Sequence, residues 1–305
     1  MPNIWTHILF CEDVLDAVNA KEYKVAEENY LNLGAQGPDP FFYHHFLPWK
    51  NESKINQLGT VLHTEKCGDF LMELIIQAQH ANKNTKAYVF GFFTHHILDR
   101  NTHPYIHYRA GYEKNKHQKL EVIIDTLFMQ GRYHLKTWKT PVCKSIDVGM
   151  SCDKNVYKVM NKSMRKIYSE ETKELSKDYL HLAYKDMKHA LQLLYDPIGW
   201  KNFLLGNLIS PFSHQPISDN LDYLNKNHKE WRHPATDKPS SKSFLDLYDK
   251  ARTEGIEIGS LLMEYWENPS TNLENKLRKI IDNYSYDTGL PLKDNASNKY
   301  SDPIV

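Results

Sequence analysis

The stretch Gly91-Phe92-Phe93-Thr94-His95-His96-Ile97-Leu98-Asp99-Arg100-Asn101-Thr102-His103-Pro104 decides how this chain folds. From Ala87 to Leu98 it is apolar on nearly every side, which suits a helix at the centre of a bundle and not one lying on a surface. His95 and Asp99 stand four residues apart, so a helix carries an imidazole and a carboxylate on one face, within reach of one metal ion. Pro104 disfavours helical backbone at His103, which is therefore expected to leave the helix end and point back across it. A buried polar side chain on such a helix is ordinarily a hydrogen-bonded core residue, so the pair gains meaning only from its surroundings.

Working outward, apolar spacing is helical almost everywhere and strand-like alternation is scarce. Ile8, Val14, Leu15 and Val18 mark a first helix; Leu58, Val61, Leu62, Leu71, Leu74 and Ile75 mark a second helical stretch, within which His63 is expected to open the helix that continues through Cys67-Gly68-Asp69. Residues 114–135 have a mixed face and are expected nearer the surface. Further helices are expected over 156–195, with a break near Ser169, over 243–266 and over 273–283. Pro, Gly, Asn and Asp concentrate in loops at 34–49, 101–112, 211–222 and 233–241. The expected fold is all-α: a multi-helix bundle with a metal-binding core over 1–150 and a helical extension over 151–305 packed on it as one continuous domain.

Composition narrows the partners. A chain of 305 residues with 41% hydrophobic content can bury a full core. Lys+Arg and Asp+Glu both number 38, so no basic excess exists to attract nucleic acid or an anionic surface, and no specific nucleic-acid partner is expected. Four cysteines without a CxxC pair argue against a zinc-thiolate site or a disulfide framework. The first fifteen residues lack a basic n-region, so no secretory signal is expected and the location is read as cytoplasmic. No run reaches the ~18 apolar residues of a transmembrane segment.

The remaining anomaly is 16 His, and several fall at ligand spacing. His117 and Glu121 form a second i, i+4 pair; with His103 they would supply three ligands and leave an open position, as in a catalytic zinc site. Asp125, one turn on, would orient His117 from the second shell. Upstream, Asp39 sits between Pro38 and Pro40 on a stiff turn. His44, His45 and His96 are expected in loop or second-shell positions, and Phe41, Phe42, Tyr43 and Trp49 as packing residues or a site mouth.

In order, Thr6-His7, Gly34-Ala35-Gln36-Gly37-Pro38-Asp39, His63, Gly91 to Asp99, His103-Pro104 and His117-Gln118-Lys119-Leu120-Glu121 resemble the bacterial zinc-dependent phospholipase C family. Its fold is shared by the single-strand-specific zinc nucleases of fungi and plants. The resemblance implies one zinc ion held by Asp39, His63, His95 and Asp99, and a second by His103, His117 and Glu121. In secreted members a third ion uses the processed N-terminus, an early His and a bridging Asp, which correspond to the chain start, His7 and Asp99. With no secretory signal expected, no processed N-terminus is expected there either, so His7 is kept as a candidate ligand and the third ion is left open. Pro40 replaces the aromatic found in choline-recognising members, a departure from the pattern tied to phosphatidylcholine.

The implied activity is phospholipase C-like hydrolysis of a small phosphate ester or phospholipid head group, with Asp39 also accepting a proton from water. Two alternatives stay open: a helical His/Asp metal phosphohydrolase acting on nucleotides, for which the chain lacks a His-Asp dipeptide, and a non-catalytic metal-binding helical protein.

Overall fold

A computed structural model describes residues 3–20, 23, 27–47 and 49–305. These form, in chain order, α1 (Ile4–Ala17), α2 (Glu28–Gly34), α3 (Lys54–Thr64), α4 (Cys67–Ala78), α5 (Lys83–Ala110), α6 (Lys116–Tyr133), α7 (Lys154–Ile167), α8 (Ser169–Thr172), α9 (Tyr179–Leu194), α10 (Trp200–Leu205), α11 (Phe244–Glu267) and α12 (Thr271–Ile281). A two-residue antiparallel ladder pairs β1 (Trp231–Arg232) with β2 (Pro239–Ser240). The chain is an all-α bundle.

The apolar stretch becomes the middle of α5, a helix of 28 residues whose N-terminal amides are capped by the Asn82 side chain. Every residue from 87 to 106 is buried, because α1, α2, α4, α6 and α11 all pack against this one helix. Ser243 caps α11 in a reciprocal capping box with Asp246, which starts that helix where its sequence pattern predicts.

Two local expectations fail. The helix does not end at His103 but runs through Pro104 to Ala110, so most of the expected 101–112 loop is helical. Proline removes one amide and costs ~3 kcal/mol in a helix interior. Here the flanking turns are fixed from outside: Arg100 donates to the carbonyl of Ile281 at 2.8 Å, and Tyr105 Oη donates to that of Tyr223 at 2.8 Å. Second, the 58–75 stretch is two helices, broken where Lys66 takes φ +48°, and His63 closes the first instead of opening the second. As expected, α6 lies nearer the surface than α5, with residues 118, 119 and 130–133 exposed, although every residue from 120 to 126 is buried.

Beyond α12, residues 282–305 return along α5 as a strap. Tyr286 N donates to the carbonyl of His63 at 3.0 Å, Asp302 N to that of Tyr108 at 2.8 Å, and Ile304 N to that of Arg109 at 2.9 Å. Among the described residues no helix is long and apolar enough to cross a membrane.

Candidate metal centre

Because α5 continues unbroken, His95, Asp99, His103 and His107 lie at successive four-residue steps along one side of it. The crossing of α2 over α5 is unusually close. A Cβ on Gly34 would stand 2.0 Å from the Tyr88 carbonyl oxygen, and one on Gly91 would stand 2.2 Å from that of Leu31. That contact brings the Ala35 carbonyl to 2.9 Å from His95 Nδ1. Gly37, at φ +51° and pressed on the His95 ring, then turns the chain so that Asp39 opens a 3₁₀ turn (Asp39–Tyr43) facing the same ring. On α3, His63 Nδ1 lies 2.6 Å from the Gly59 carbonyl. A carbonyl only accepts, so Nδ1 of both His63 and His95 carries the proton, and both Nε2 lone pairs are aimed inward.

They meet at Asp99. Its Oδ2 is 3.0 Å from His95 Nε2 and 3.9 Å from His63 Nε2; its Oδ1 is 3.2 Å from His7 Nε2 and 3.7 Å from His103 Nε2. Asp39 Oδ1 is 3.7 Å from both His63 Nε2 and His95 Nε2. Glu121 Oε1 is 2.5 Å from His117 Nε2 and 3.9 Å from His103 Nε2. Ligand atoms around a tetrahedral zinc with bonds of ~2.0 Å lie about 3.3 Å apart, close to most of these separations. Four donor sets fall within a 4.8 Å span: His7, His95 and Asp99; Asp39, His63 and His95; His103, His117 and Glu121; and, not expected from the sequence, His103, His107 and Asp287. All eight ligands expected from the sequence are thus brought into one continuous cluster, while Met1 lies outside the described residues.

The electrostatics call for a cation. Asp99 is fully buried, and neither of its oxygens, nor Asp39 Oδ1, nor Nε2 of His7, His95 and His103, forms a hydrogen bond among the described residues. An ionised carboxylate so placed costs several kcal/mol unless charge compensates it. Burial pushes the His7 imidazole down to about 4 and that of His103 down to about 3, and lowers His63 and His117 as well, so these nitrogens hold lone pairs near neutrality. Burial raises the Asp39 carboxyl to about 7, whereas for Asp99 the opposing pull of His103, His95 and His7 outweighs burial and holds it well below the usual range. The donor set therefore fits zinc.

The surrounding residues differ from expectation. Asp125 turns both oxygens to other tasks: Oδ1 accepts from Thr6 N and Thr6 Oγ1, each at 2.6 Å, and Oδ2 faces His214 Nε2 at 2.8 Å. It anchors the start of α1 and so the placement of His7. His96 Nε2 bonds the Tyr284 carbonyl at 3.1 Å, and its ring packs on Tyr286, which itself lies 4.8 Å from the His63 ring. Asp287 lies 3.5 Å from His103 Nδ1 and 3.7 Å from His107 Nε2. His107 was visible in the sequence as one further four-residue step beyond His103; Tyr286 and Asp287 carried no local signal. Phe41 is buried, while Phe42 is partly exposed and tilts over His63 at 5.2 Å. A cavity of about 360 Å³ beside the Asp39 turn is lined by Leu33, Pro40, Phe41, Tyr88 and Met160 and by none of the donors.

Comparison with curated proteins and with solved structures found no match. The scan against protein families did: residues 6–178, more than half of the chain and the span that holds all eight donors, match zinc dependent phospholipase C, and the chain belongs to that family.

Proposed function

We propose that the chain is a metal-dependent hydrolase of phosphate esters, a phospholipase C-like phosphodiesterase working from a multinuclear centre. Asp39, His63, His95 and Asp99 would hold one zinc ion and His103, His117 and Glu121 a second, with His7 and Asp99 offering donors to a third. The observation that carries this is the buried carboxylate of Asp99 set between four imidazole nitrogens at 3.0 to 3.9 Å, with both oxygens outside any hydrogen bond among the described residues. Zinc bound there supplies Lewis acidity toward phosphoryl oxygens and makes water a competent nucleophile near neutral pH.

The chain's own groups account for the rest. Asp99 presents one oxygen to His63 and His95 and the other to His7 and His103, which keeps the donor sets close enough to act on one phosphoryl group. Asp39, whose Oδ1 lies 3.7 Å from Nε2 of both His63 and His95, is the carboxylate placed to accept a proton from the attacking water. The Ala35 and Gly59 carbonyls fix the tautomers of His95 and His63, so neither ring must reorient during turnover. Phe42 over His63 would border a head group at the mouth. The test is a panel of chromogenic phosphomonoesters, phosphodiesters and phosphocholine esters offered to zinc-loaded and chelator-treated protein. Turnover of at least one ester should vanish on chelation and return with zinc; turnover indifferent to the chelator rejects the reading.

A further inference from the structure

The segment 197–212 is built inside out. Ile198 and Phe203 are 83% and 87% exposed, Leu204 and Leu208 66% and 65%, and Trp200 and Leu205 about half. Six large apolar side chains so exposed within eleven residues are a concentration of the kind that marks an interaction surface. The segment is held to the protein by polar contacts as well as by buried Ile209 and Pro211: Asn202 donates through N and Nδ2 to Asp196 Oδ2, both at 2.9 Å, and through Nδ2 to Ser213 Oγ at 3.0 Å. At about 100° per residue, Trp200, Phe203, Leu204 and Leu205 spread over roughly 200° of α10, with Asn202 opposite.

We infer that this segment is an interfacial docking element that inserts its apolar side chains into the surface of a phospholipid bilayer. A protein groove takes up one stripe of a helix, whereas a fluid interface can surround most of it, as the spread around α10 requires. Trp200 has the amphipathic ring that settles at head-group level. The one charge between 197 and 212 is the Lys201 ammonium, which caps the carbonyls of Leu193 and Tyr195; no carboxylate in the segment opposes lipid phosphates. The root of the element is tied to the metal centre, because His214 faces Asp125, one turn along α6 from Glu121. Docking would set the centre beside the head groups, a role that rests on the phosphate-ester reading, although binding itself does not.

The test uses full-length protein and sedimentation with vesicles of phosphatidylcholine alone and mixed with phosphatidylserine. Chelator-treated wild-type protein should pellet with vesicles, and the double variant Phe203→Ser/Leu204→Ser should lose about tenfold or more of that binding while its thermal midpoint stays unchanged. Zinc-loaded variant should keep turnover of whichever soluble ester the wild type hydrolyses and lose any turnover of vesicles. Wild type that binds vesicles yet hydrolyses no ester sinks the enzymatic reading and leaves docking standing. Docking is overturned if wild type stays in the supernatant with both vesicle types or if the variant binds as well as wild type. It is also overturned if wild type alone sediments as a dimer that the variant dissolves, which would make a second copy the cover.

Discussion

Asp99 carries more of the site than any other residue, since each of its oxygens faces two imidazoles. Asp99→Asn keeps the shape and removes the charge. We expect bound zinc, measured by elemental analysis, to fall to background and turnover to drop beyond the ~10–100-fold typical of outer-shell losses. Asp287, which touches His103 at Nδ1 and not at the nitrogen facing the other donors, belongs to that milder class. Asp287→Asn should weaken zinc retention against a competing chelator by about 10–100-fold without abolishing it. The metal-free protein should also respond to acid. His7 and His103 bind protons near 6.5 when unfolded but only near 4 and 3 when folded, so each contributes stability above 6.5 that is lost as pH falls toward its folded value. Asp39, raised from 3.8 to about 7, acts the other way, contributing stability at low pH that fades as pH rises through 7. His95, raised because the Asp99 and Asp39 charges outweigh burial, sides with Asp39. With His63, His96 and His117 lowered too, the lowered imidazoles outnumber this pair, and the urea midpoint of chelated protein should be lower at about pH 5 than at about pH 7. A higher midpoint at the acid end would mean that the pair dominates.

At the scale of elements, the sequence made helices legible wherever an apolar stripe ran ten residues or more. It failed where a local rule met a tertiary contact. Pro104 reads as a stop, yet Arg100 and Tyr105 are bonded to distant segments that hold the turn. The donors on α5 and α6 were readable because i, i+4 spacing is itself geometry. The closure of the site by Tyr286 and Asp287 was not, because the pairing of the strap with His63 and His103 spans well over a hundred residues. The crossing of α2 on α5 gives this scale its prediction. Gly91→Ala puts a methyl 2.2 Å from the Leu31 carbonyl oxygen and must prise the two helices apart. It should cost roughly 1–3 kcal/mol in urea denaturation. Zinc affinity should fall with it, since the Ala35 carbonyl that fixes His95 rides on the same crossing. Gly131→Ala on α6, where an added Cβ meets nothing within 4 Å, is the control and should stabilise by roughly 0.5–1 kcal/mol.

For the molecule as a whole, composition and patterning made the helical class plain, but the relation between the two halves rests on contacts that only the folded chain displays. α11 lies along α5 and α1, and the strap hydrogen-bonds to His63 and to the last turn of α5, so the second half encloses the helix that carries the central donors. We therefore propose that the chain unfolds as one continuous domain, and zinc offers a way to ask. An ion that binds only the folded state stabilises it by about 4 kcal/mol at a thousandfold excess over its Kd. If the halves are one cooperative unit, calorimetry should give a single transition, and chelation should move all of it to lower temperature. An independent helical extension would instead leave a second transition at its original temperature, indifferent to the chelator. The Asp99→Asn variant supplies the internal check: its transition should not move when zinc is added or removed.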